Sequence, residues 1–479
     1  MLDRRTFYIG GAWVAPREGT DFPVEDPSRE EPFATIALAG PADTDAAVAA
    51  ARRAFPGWAA TPPAERIALV ERLLEAYRAR EEEMAETISR EMGAPIDLSR
   101  AAQAPAGTEA IADYLEAVRD FAFERPLRAD TPHDRILMEP AGVCALITPW
   151  NWPMNQVALK VVPALLAGCT MVLKPSEIAP LSGALFAEIV DAAGAPPGVF
   201  NLVHGDGAGA GSRLSAHPEI DMVSFTGSTR AGTAISKAAA DTLKRVHLEL
   251  GGKGANILFE DAPAGAAERG TAFCFENTGQ SCNAPTRMLV HRARYEEAVE
   301  TAARVAEATG VGPADRRGDH IGPAVSAAQR EKIERLVQIG IDEGARLVAG
   351  GPGRPEGLNR GHFVRPTVFA DVSNDMTIAR EEVFGPVLSI IPFETEEEAV
   401  AIANDTPYGL TNYVESDDPE RRNRVARRLR SGMVEMNGMA RSSGSPFGGM
   451  KASGNGREGG VWGIEDFCEV KAVSGWGET

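Results

Sequence analysis

The sequence is poor in cysteine and contains no paired cysteine motif. Five cysteines are scattered through 479 residues without a Cys-x-x-Cys spacing, so neither a disulfide framework nor a zinc cage is encoded. We therefore expect a reducing compartment, the cytoplasm, and no bound metal. The five are Cys144, Cys169, Cys274, Cys282 and Cys468.

Positive charge and long apolar runs are also lacking. The chain has 49 Lys and Arg against 68 Asp and Glu, a net charge of −19 that repels nucleic acid and anionic membranes. No apolar run approaches the roughly 18 residues needed to span a membrane. Residues 7–14 are too short and too glycine-rich for a signal peptide. With 44% hydrophobic and 24% charged residues, the sequence predicts a soluble globular protein without nucleic-acid or membrane partners.

What is present is an alternation of short apolar strands with helix-length segments from about residue 143. Strands without polar alternation are typical of a parallel sheet covered on both faces, so we predict a doubly wound α/β dinucleotide-binding fold. A second α/β unit follows a boundary near Gly251 and Gly252. Before both, apolar residues at helical spacing predict one helix over Ala64–Met92. The other predicted elements are the strands Val143–Thr148, Thr170–Leu173, Val199–Val203, Met222–Phe225, Val246–Leu250, Asn256–Phe259, Met288–Val290 and Val387–Phe393, and the helices Met154–Leu166, Pro180–Ala193 and Thr229–Ala239.

Two glycine-rich segments are candidates for phosphate binding. Neither Gly205–Gly211 nor Gly227–Gly232 spells a standard dinucleotide or triphosphate motif. Gly227–Gly232 nevertheless follows an apolar strand and opens a helix, where backbone N–H groups and the Ser228 hydroxyl can meet a pyrophosphate. A plain strand-to-helix turn explains the same residues equally well.

One cysteine differs from the others in its surroundings. Cys282 lies in the polar loop Asn277–Asn283, which makes its thiol a candidate nucleophile, whereas the other four read as buried structural thiols. Glu249 ends an apolar strand before two glycines and is a candidate base, although a solvated strand end is the alternative. A cysteine hydrolase stays open, because none of the seven histidines stands out as its base.

Together the motifs resemble the NAD(P)-dependent aldehyde dehydrogenase family over nearly the whole chain. The resemblance rests on seven motifs in the same order and spacing. They are Thr148-Pro-Trp-Asn-Trp-Pro153, Lys174-Pro-Ser-Glu177, Phe225-Thr-Gly-Ser-Thr229, Glu249-Leu-Gly-Gly-Lys253, Gly279-Gln-Ser-Cys282, Glu381-Glu-Val-Phe-Gly-Pro386 and Pro446-Phe-Gly-Gly-Met-Lys451.

The resemblance implies a reaction and assigns roles in it. Cys282 would attack the aldehyde carbonyl, and Asn151 with the Cys282 backbone N–H would stabilise the oxyanion. After hydride transfer, Glu249 would activate the water that hydrolyses the thioester. Lys160 and Glu458 match a proton relay behind that base, and ordinary surface positions are the alternative for both.

The resemblance also implies a cofactor site and an aldehyde pocket. NAD is expected, with NADP possible, because a carboxylate at Glu177 would repel a 2′-phosphate while Lys174 could tolerate one. The cofactor set is Trp150, Lys174, Glu177, Gly227, Ser228, Leu250, Glu382 and Phe384, and the substrate pocket is Trp152, Gln156, Leu159, Ser281, Asn283 and Phe447.

The family architecture implies a cofactor domain over residues 1–120 and 141–250, a catalytic domain over 251–445, and an oligomerisation arm. The arm combines residues 121–140 with 460–479, and pairing across subunits would give a homodimer or homotetramer. Two other functions stay open. A semialdehyde-specific enzyme would use Arg441 to bind the far carboxylate of a substrate such as succinic semialdehyde. A non-catalytic scaffold is disfavoured by the presence of Cys282, Glu249 and Asn151.

Overall fold

The computed structural model describes residues 1–477; positions 478 and 479 of the predicted arm lie outside the described residues. Four sheets are present in this range, and the largest has eight strands. In spatial order its strands are Gly454–Asn455, Arg245–Glu249, Met222–Thr226, Val143–Ile147, Thr170–Lys174, Phe200–Leu202, Phe7–Ile9 and Ala12–Val14.

The centre of this sheet is parallel. Val143–Ile147 pairs in parallel with Thr170–Lys174 on one side and with Met222–Thr226 on the other, and every residue of the three strands is buried. Apolar side chains on both faces require helices on both faces, which is the predicted doubly wound arrangement. Antiparallel strands from the N-terminus and Gly454–Asn455 complete the two edges, and the sequence did not indicate them.

A second sheet has seven strands and is parallel except at one edge, where its first strand runs antiparallel. It contains the second predicted α/β unit. Its strands in spatial order are Arg346–Ala349, Thr367–Ala370, Val387–Phe393, Arg287–His291, Ala255–Leu258, Thr411–Glu415 and Met433–Met436.

The two remaining sheets have three strands each. One is formed near the N-terminus by Leu2–Arg4, Glu31–Leu38 and Thr20–Asp26. The other joins the two segments of the predicted arm: Cys468–Ser474 runs antiparallel to Asp134–Pro140, which pairs with Glu124–Pro126. The role of this sheet between subunits stays a prediction, as do the domain boundaries.

The helices cover the two large sheets, and one prediction about them was wrong. The apolar stripe in Ala64–Met92 belongs to two helices, because Arg80 adopts non-helical angles (φ −120°, ψ 14°) before three glutamates open the second helix. No helix among the described residues is long and apolar enough to cross a membrane. The α-helices are Pro41–Ala59, Pro63–Arg78, Glu81–Met92, Ile96–Leu98, Pro105–Arg119, Pro153–Ala167, Leu181–Ala192, Ser212–Ala216, Thr229–Ala240, Ala266–Phe275, Tyr295–Ala308, Ala327–Asp342, Thr377–Arg380, Glu396–Asn404, Pro419–Arg428 and Gly460–Asp466.

Candidate active site

The loop that carries Cys282 is held in an unusual backbone conformation. Helix Ala266–Phe275 ends in a short turn in which Asn277 and Thr278 have φ angles of 52° and 59°, a region that costs free energy for residues with a side chain. Gly279 follows with φ 67° and lies against the backbone of Gly385, where a Cβ atom has no room. The loop is therefore shaped by close packing and not by chain flexibility.

Asn151 makes three buried hydrogen bonds, two of them with this loop and one with Gln103. Its side-chain Nδ2 donates to the carbonyl oxygen of Gln280 at 3.0 Å, and its own carbonyl accepts from the side chains of Asn277 and Gln103, each at 3.0 Å. One N–H of the Asn151 amide is left for another acceptor. The sequence placed Asn277 and Gln280 only in a polar loop, and gave no signal for Gln103.

A cavity of about 200 Å³ brings the candidate catalytic residues together with most of the predicted cofactor set. Of the predicted substrate residues, Gln156 is among those that line it. Thr226, Gln329 and Lys332 also line it and were not predicted as site residues. Thr226 belongs to the motif Phe225–Thr229, whereas no local motif distinguishes Gln329 and Lys332. The lining consists of Pro149, Trp150, Asn151, Gln156, Thr226, Gly227, Ser228, Glu249, Leu250, Gly251, Cys282, Gln329, Lys332, Glu382 and Phe384.

Glu249 is a buried carboxylate at the end of its strand, so the solvated alternative is wrong. It is 1% exposed; Oε1 accepts a hydrogen bond from the Gly449 N–H at 3.2 Å, and Oε2 has no protein partner. Burial raises its pKa well above the ordinary value, and the nearby Glu458 carboxylate adds to the shift. Gly448 passes so close that a Cβ atom there would lie 2.8 Å from Oε1.

The Cys282 thiol is half-buried at the cavity wall. Burial raises the pKa of this thiol above its usual range, and the Glu249 carboxylate raises it further. The Cys282 thiol therefore keeps its proton at neutral pH, so it must lose that proton before or during its attack on a substrate.

Lys160 and Glu458 form a buried ion pair behind Glu249. Their side chains are 0% and 3% exposed, which excludes the surface positions that the sequence also allowed. Glu458 is fixed by a two-way backbone pairing with Phe447, with N···O distances of 2.8 and 2.7 Å. Both members of the pair influence the Glu249 carboxyl, Glu458 raising its pKa and Lys160 lowering it.

The cofactor-side residues form two groups. Around the cavity, the half-buried Glu382 accepts from the Gly252 N–H at 2.8 Å, and Trp150 packs edge-on against Phe384 with ring centroids 5.4 Å apart. The Ser228 hydroxyl accepts a hydrogen bond from the Ala231 N–H and so caps helix Thr229–Ala240. The predicted strand-to-helix turn is therefore present.

The second group, Lys174 and Glu177, lies outside this cavity. The Lys174 ammonium donates to the carbonyls of Pro175 (2.9 Å) and Gly205 (2.7 Å), and Glu177 lies 3.9 Å away from it. Burial lowers the pKa of Lys174. The structure thus places this pair beside the glycine-rich segment that begins at Gly205.

The remaining predicted substrate residues do not line the cavity, although Ser281 and Asn283 flank Cys282 in its loop. Trp152 donates to the Ser281 hydroxyl at 2.8 Å, and the Asn283 carbonyl accepts from the Tyr413 hydroxyl at 2.6 Å. The Leu159 carbonyl accepts from Tyr114 at 3.2 Å.

Arg441 is not a free cation. It donates to Glu435 at 2.9 Å and stacks 4.7 Å above the ring of Phe447. Its charge is therefore already compensated within the chain.

Comparison with known proteins agrees with this geometry. The profile of the aldehyde dehydrogenase family matches residues 13–473. A 3-succinoylsemialdehyde-pyridine dehydrogenase from a Pseudomonas species is 51% identical over 99% of both chains. A solved aldehyde dehydrogenase from Bartonella henselae is 58% identical, with a TM-score of 0.99 over 99% of this chain and 100% of that one. A variant of aldehyde dehydrogenase C from Pseudomonas syringae, solved with NAD+ and octanal, is 48% identical, with a TM-score of 0.97 over 99% and 97%.

A family match over nearly the full length establishes membership, so this chain belongs to the aldehyde dehydrogenase family. The predicted family, fold class and enzyme class are confirmed. The roles of the individual residues stay predictions.

Proposed function

We propose that this chain oxidises an aldehyde to the carboxylic acid, with NAD as hydride acceptor and Cys282 as nucleophile. The observation that carries the proposal is that one cavity joins the Cys282 thiol, the Asn151 amide and the partner-free Oε2 of Glu249 to the predicted cofactor residues. The NAD+ and octanal of the Pseudomonas syringae structure support it.

The residues present fit a dinucleotide. Glu382 offers a half-buried carboxylate suited to ribose hydroxyls, and the exposed N-terminus of helix Thr229–Ala240 offers N–H groups to a phosphate. The Thr226 hydroxyl is buried at the cavity wall without a partner, which leaves it for a ligand. When bound there, NAD supplies an acceptor for the hydride.

In the first half of the reaction, the Cys282 thiol loses its proton to solvent water, and the sulfur adds to the aldehyde carbon. The carbonyl oxygen becomes negatively charged, and the second N–H of the Asn151 amide and the Cys282 backbone N–H donate to it. Loss of hydride from the same carbon restores the carbonyl and leaves a thioester on Cys282.

In the second half, Glu249 acts as general base. Its Oε2 takes a proton from water while the water oxygen attacks the thioester carbon, and the carbon–sulfur bond breaks to release the acid. The raised pKa of Glu249 suits it to this proton transfer near neutral pH. Glu458 and Lys160 lie behind it as positioning residues through which the proton can leave.

The experiment is NADH and acid formation by the purified chain. With NAD and a panel of aliphatic, aromatic and ω-carboxy aldehydes, we expect equal amounts of NADH and acid, and no NADH from Cys282→Ala. A folded, NAD-binding protein that oxidises no aldehyde would favour the non-catalytic scaffold. Ester cleavage without NAD-dependent oxidation would favour the cysteine hydrolase.

NAD is expected to be preferred to NADP. The Glu177 carboxylate, 3.9 Å from the Lys174 ammonium, is suited to accept from ribose hydroxyls and would repel a 2′-phosphate. Because Lys174 is already bonded to two backbone carbonyls, its charge compensates little of that repulsion.

The arm is proposed to pair subunits into a homodimer or homotetramer. Strand Cys468–Ser474 forms the edge of its three-stranded sheet, and Val470 on it is 66% exposed. Light scattering with a variant lacking residues 468–479 tests this; an unchanged mass would contradict it. The absence of paired cysteines continues to favour a cytoplasmic location.

A further inference from the structure

Glu435, on a strand of the second sheet, is paired with Arg441 from the loop that follows, close to the predicted substrate residues Asn283 and Phe447. Strands Thr411–Glu415 and Met433–Met436 are parallel neighbours in which Tyr413 is in register with Glu435, so both side chains point to the same face. The Tyr413 hydroxyl donates to the carbonyl of Asn283, the residue after the nucleophile, at 2.6 Å. Glu435 therefore faces the loop that carries Cys282.

Arg441 is held against this face by two contacts. Its Nε donates to Glu435 Oε1 at 2.9 Å, and its guanidinium carbon lies 4.7 Å from the ring centroid of Phe447. The side chains of Arg441 and Glu435 are 28% and 12% exposed, so solvent screens the pair only in part. Phe447 in turn is bonded through its backbone to Glu458, behind the proposed base.

These contacts determine which aldehydes this face of the sheet can bind. A carboxylate that approaches Arg441 also approaches Glu435, and a like charge at short range costs binding free energy. Displacing Glu435 instead would leave a half-buried carboxylate unpaired. A neutral chain or ring meets neither cost and can cover the Phe447 ring and the flat guanidinium.

We propose that Glu435 determines the substrate class. By holding Arg441 in an ion pair, Glu435 makes the substrate pocket accept aldehydes whose end opposite the carbonyl is neutral, apolar or aromatic, and disfavour ω-carboxy aldehydes. This inference rests on the proposed function, because it concerns the substrate pocket of that same site. It contradicts the hypothesis that Arg441 binds the far carboxylate of a semialdehyde substrate. Glu435 acts through Arg441 and is a specificity-determining residue, not a catalytic one.

The test compares two four-carbon aldehydes, butanal and succinic semialdehyde, by kcat/KM in the wild type and in Glu435→Gln. The glutamine keeps the size of the side chain and an oxygen for Arg441, but removes the negative charge. We expect the wild type to prefer butanal. In the variant, the ratio of succinic semialdehyde to butanal should rise about tenfold or more, mainly through a lower KM for succinic semialdehyde.

Two further variants separate this effect from a general loss of charge or fold. Glu396→Gln removes a comparably buried glutamate, 15% exposed and ion-paired to Arg424 at 2.8 Å, and should leave the ratio unchanged. Arg441→Gln alone leaves the Glu435 carboxylate uncompensated and should not raise the ratio. Adding Arg441→Gln to Glu435→Gln should remove the gain.

The outcomes distinguish the two claims. If the wild type oxidises neither these aldehydes nor the wider panel, the proposed function fails. If it oxidises butanal but prefers succinic semialdehyde, or if Arg441→Gln raises the ratio, the inference is overturned. An unchanged ratio in a folded Glu435→Gln protein overturns it as well.

Discussion

The ammonium of Lys160 is paired with the carboxylate of Glu458 across 298 residues of sequence, in an interior where neither side chain is more than 3% exposed. A buried pair of this kind gains stability only while both partners are present, because either one alone is an uncompensated charge in a poorly polarisable environment. The pair also controls the charge around Glu249, which links the stability of this region to the proposed deacylation step.

Breaking the pair on one side should be costly. Lys160→Met should lower the free energy of unfolding by about 3–5 kcal/mol, because Glu458 is left buried and unpaired. The double variant Lys160→Met/Glu458→Gln should recover much of that loss. Urea unfolding of the three proteins measures both values, and a loss below about 1 kcal/mol in the single variant would contradict the buried pairing.

Removing the proposed base should separate the two halves of the reaction. Glu249→Gln keeps the shape of the side chain but cannot accept a proton from water. We expect a rapid burst of NADH equal to the enzyme concentration, followed by slow turnover as the thioester accumulates. Stopped-flow absorbance records this, and steady turnover at the wild-type rate without a burst would assign the base to another residue.

The pH dependence of the burst follows from the two raised pKa values. A raised pKa means that Cys282 and Glu249 keep their protons to higher pH than usual, so the burst rate of the wild type should increase as pH rises. In Glu249→Gln the carboxylate that raises the thiol pKa is gone, and the burst profile should move to lower pH. Single-turnover rates across pH test the direction; a shift to higher pH would show that Glu249 lowers the thiol pKa instead.

Asn151 should matter for acylation. Asn151→Ala removes the free amide N–H and should slow the NADH burst by about 10²–10³-fold. The same change also removes the hydrogen bond to the Gln280 carbonyl, so thermal unfolding is measured alongside it. Gln103→Leu, which loses a contact to the Asn151 backbone but not the amide, is the matched control. An equal loss in both variants would point to loop support and not to oxyanion stabilisation.

Cofactor choice should depend on Glu177. Glu177→Ala should weaken the binding of NAD, because the ribose hydroxyls lose an acceptor. It should weaken the binding of NADP less, or strengthen it, because repulsion of the 2′-phosphate is removed. Fluorescence titration with each dinucleotide measures the two Kd values. An equal change for both would remove the reason for expecting NAD.

The parts of this structure that the sequence predicted are those with a local signal. The buried parallel strands, Val143–Ile147 for example, contain apolar residues on both faces, and no other arrangement hides both. Cys282 and the strand-to-helix turn at Gly227 and Ser228 were recognisable because polar or glycine-rich residues interrupt apolar elements.

The parts that were missed depend on contacts between distant segments. Gln103 and Lys332 resemble ordinary helix residues and reach the site only through the fold. The break between two helices at Arg80 was not predicted, because the same apolar face continues in both helices. The ion pair between Arg441 and Glu435 was not predicted either, although it compensates the charge with which Arg441 would bind a carboxylate.

The central claim is that the acyl group is carried by Cys282. The most direct measurement is peptide mass analysis of Glu249→Gln after brief incubation with butanal, with and without NAD. We predict one butanoyl group on the peptide containing Cys282, present only when NAD is included. NADH formation without an acyl group on that peptide, or with the group on another residue, would contradict the account.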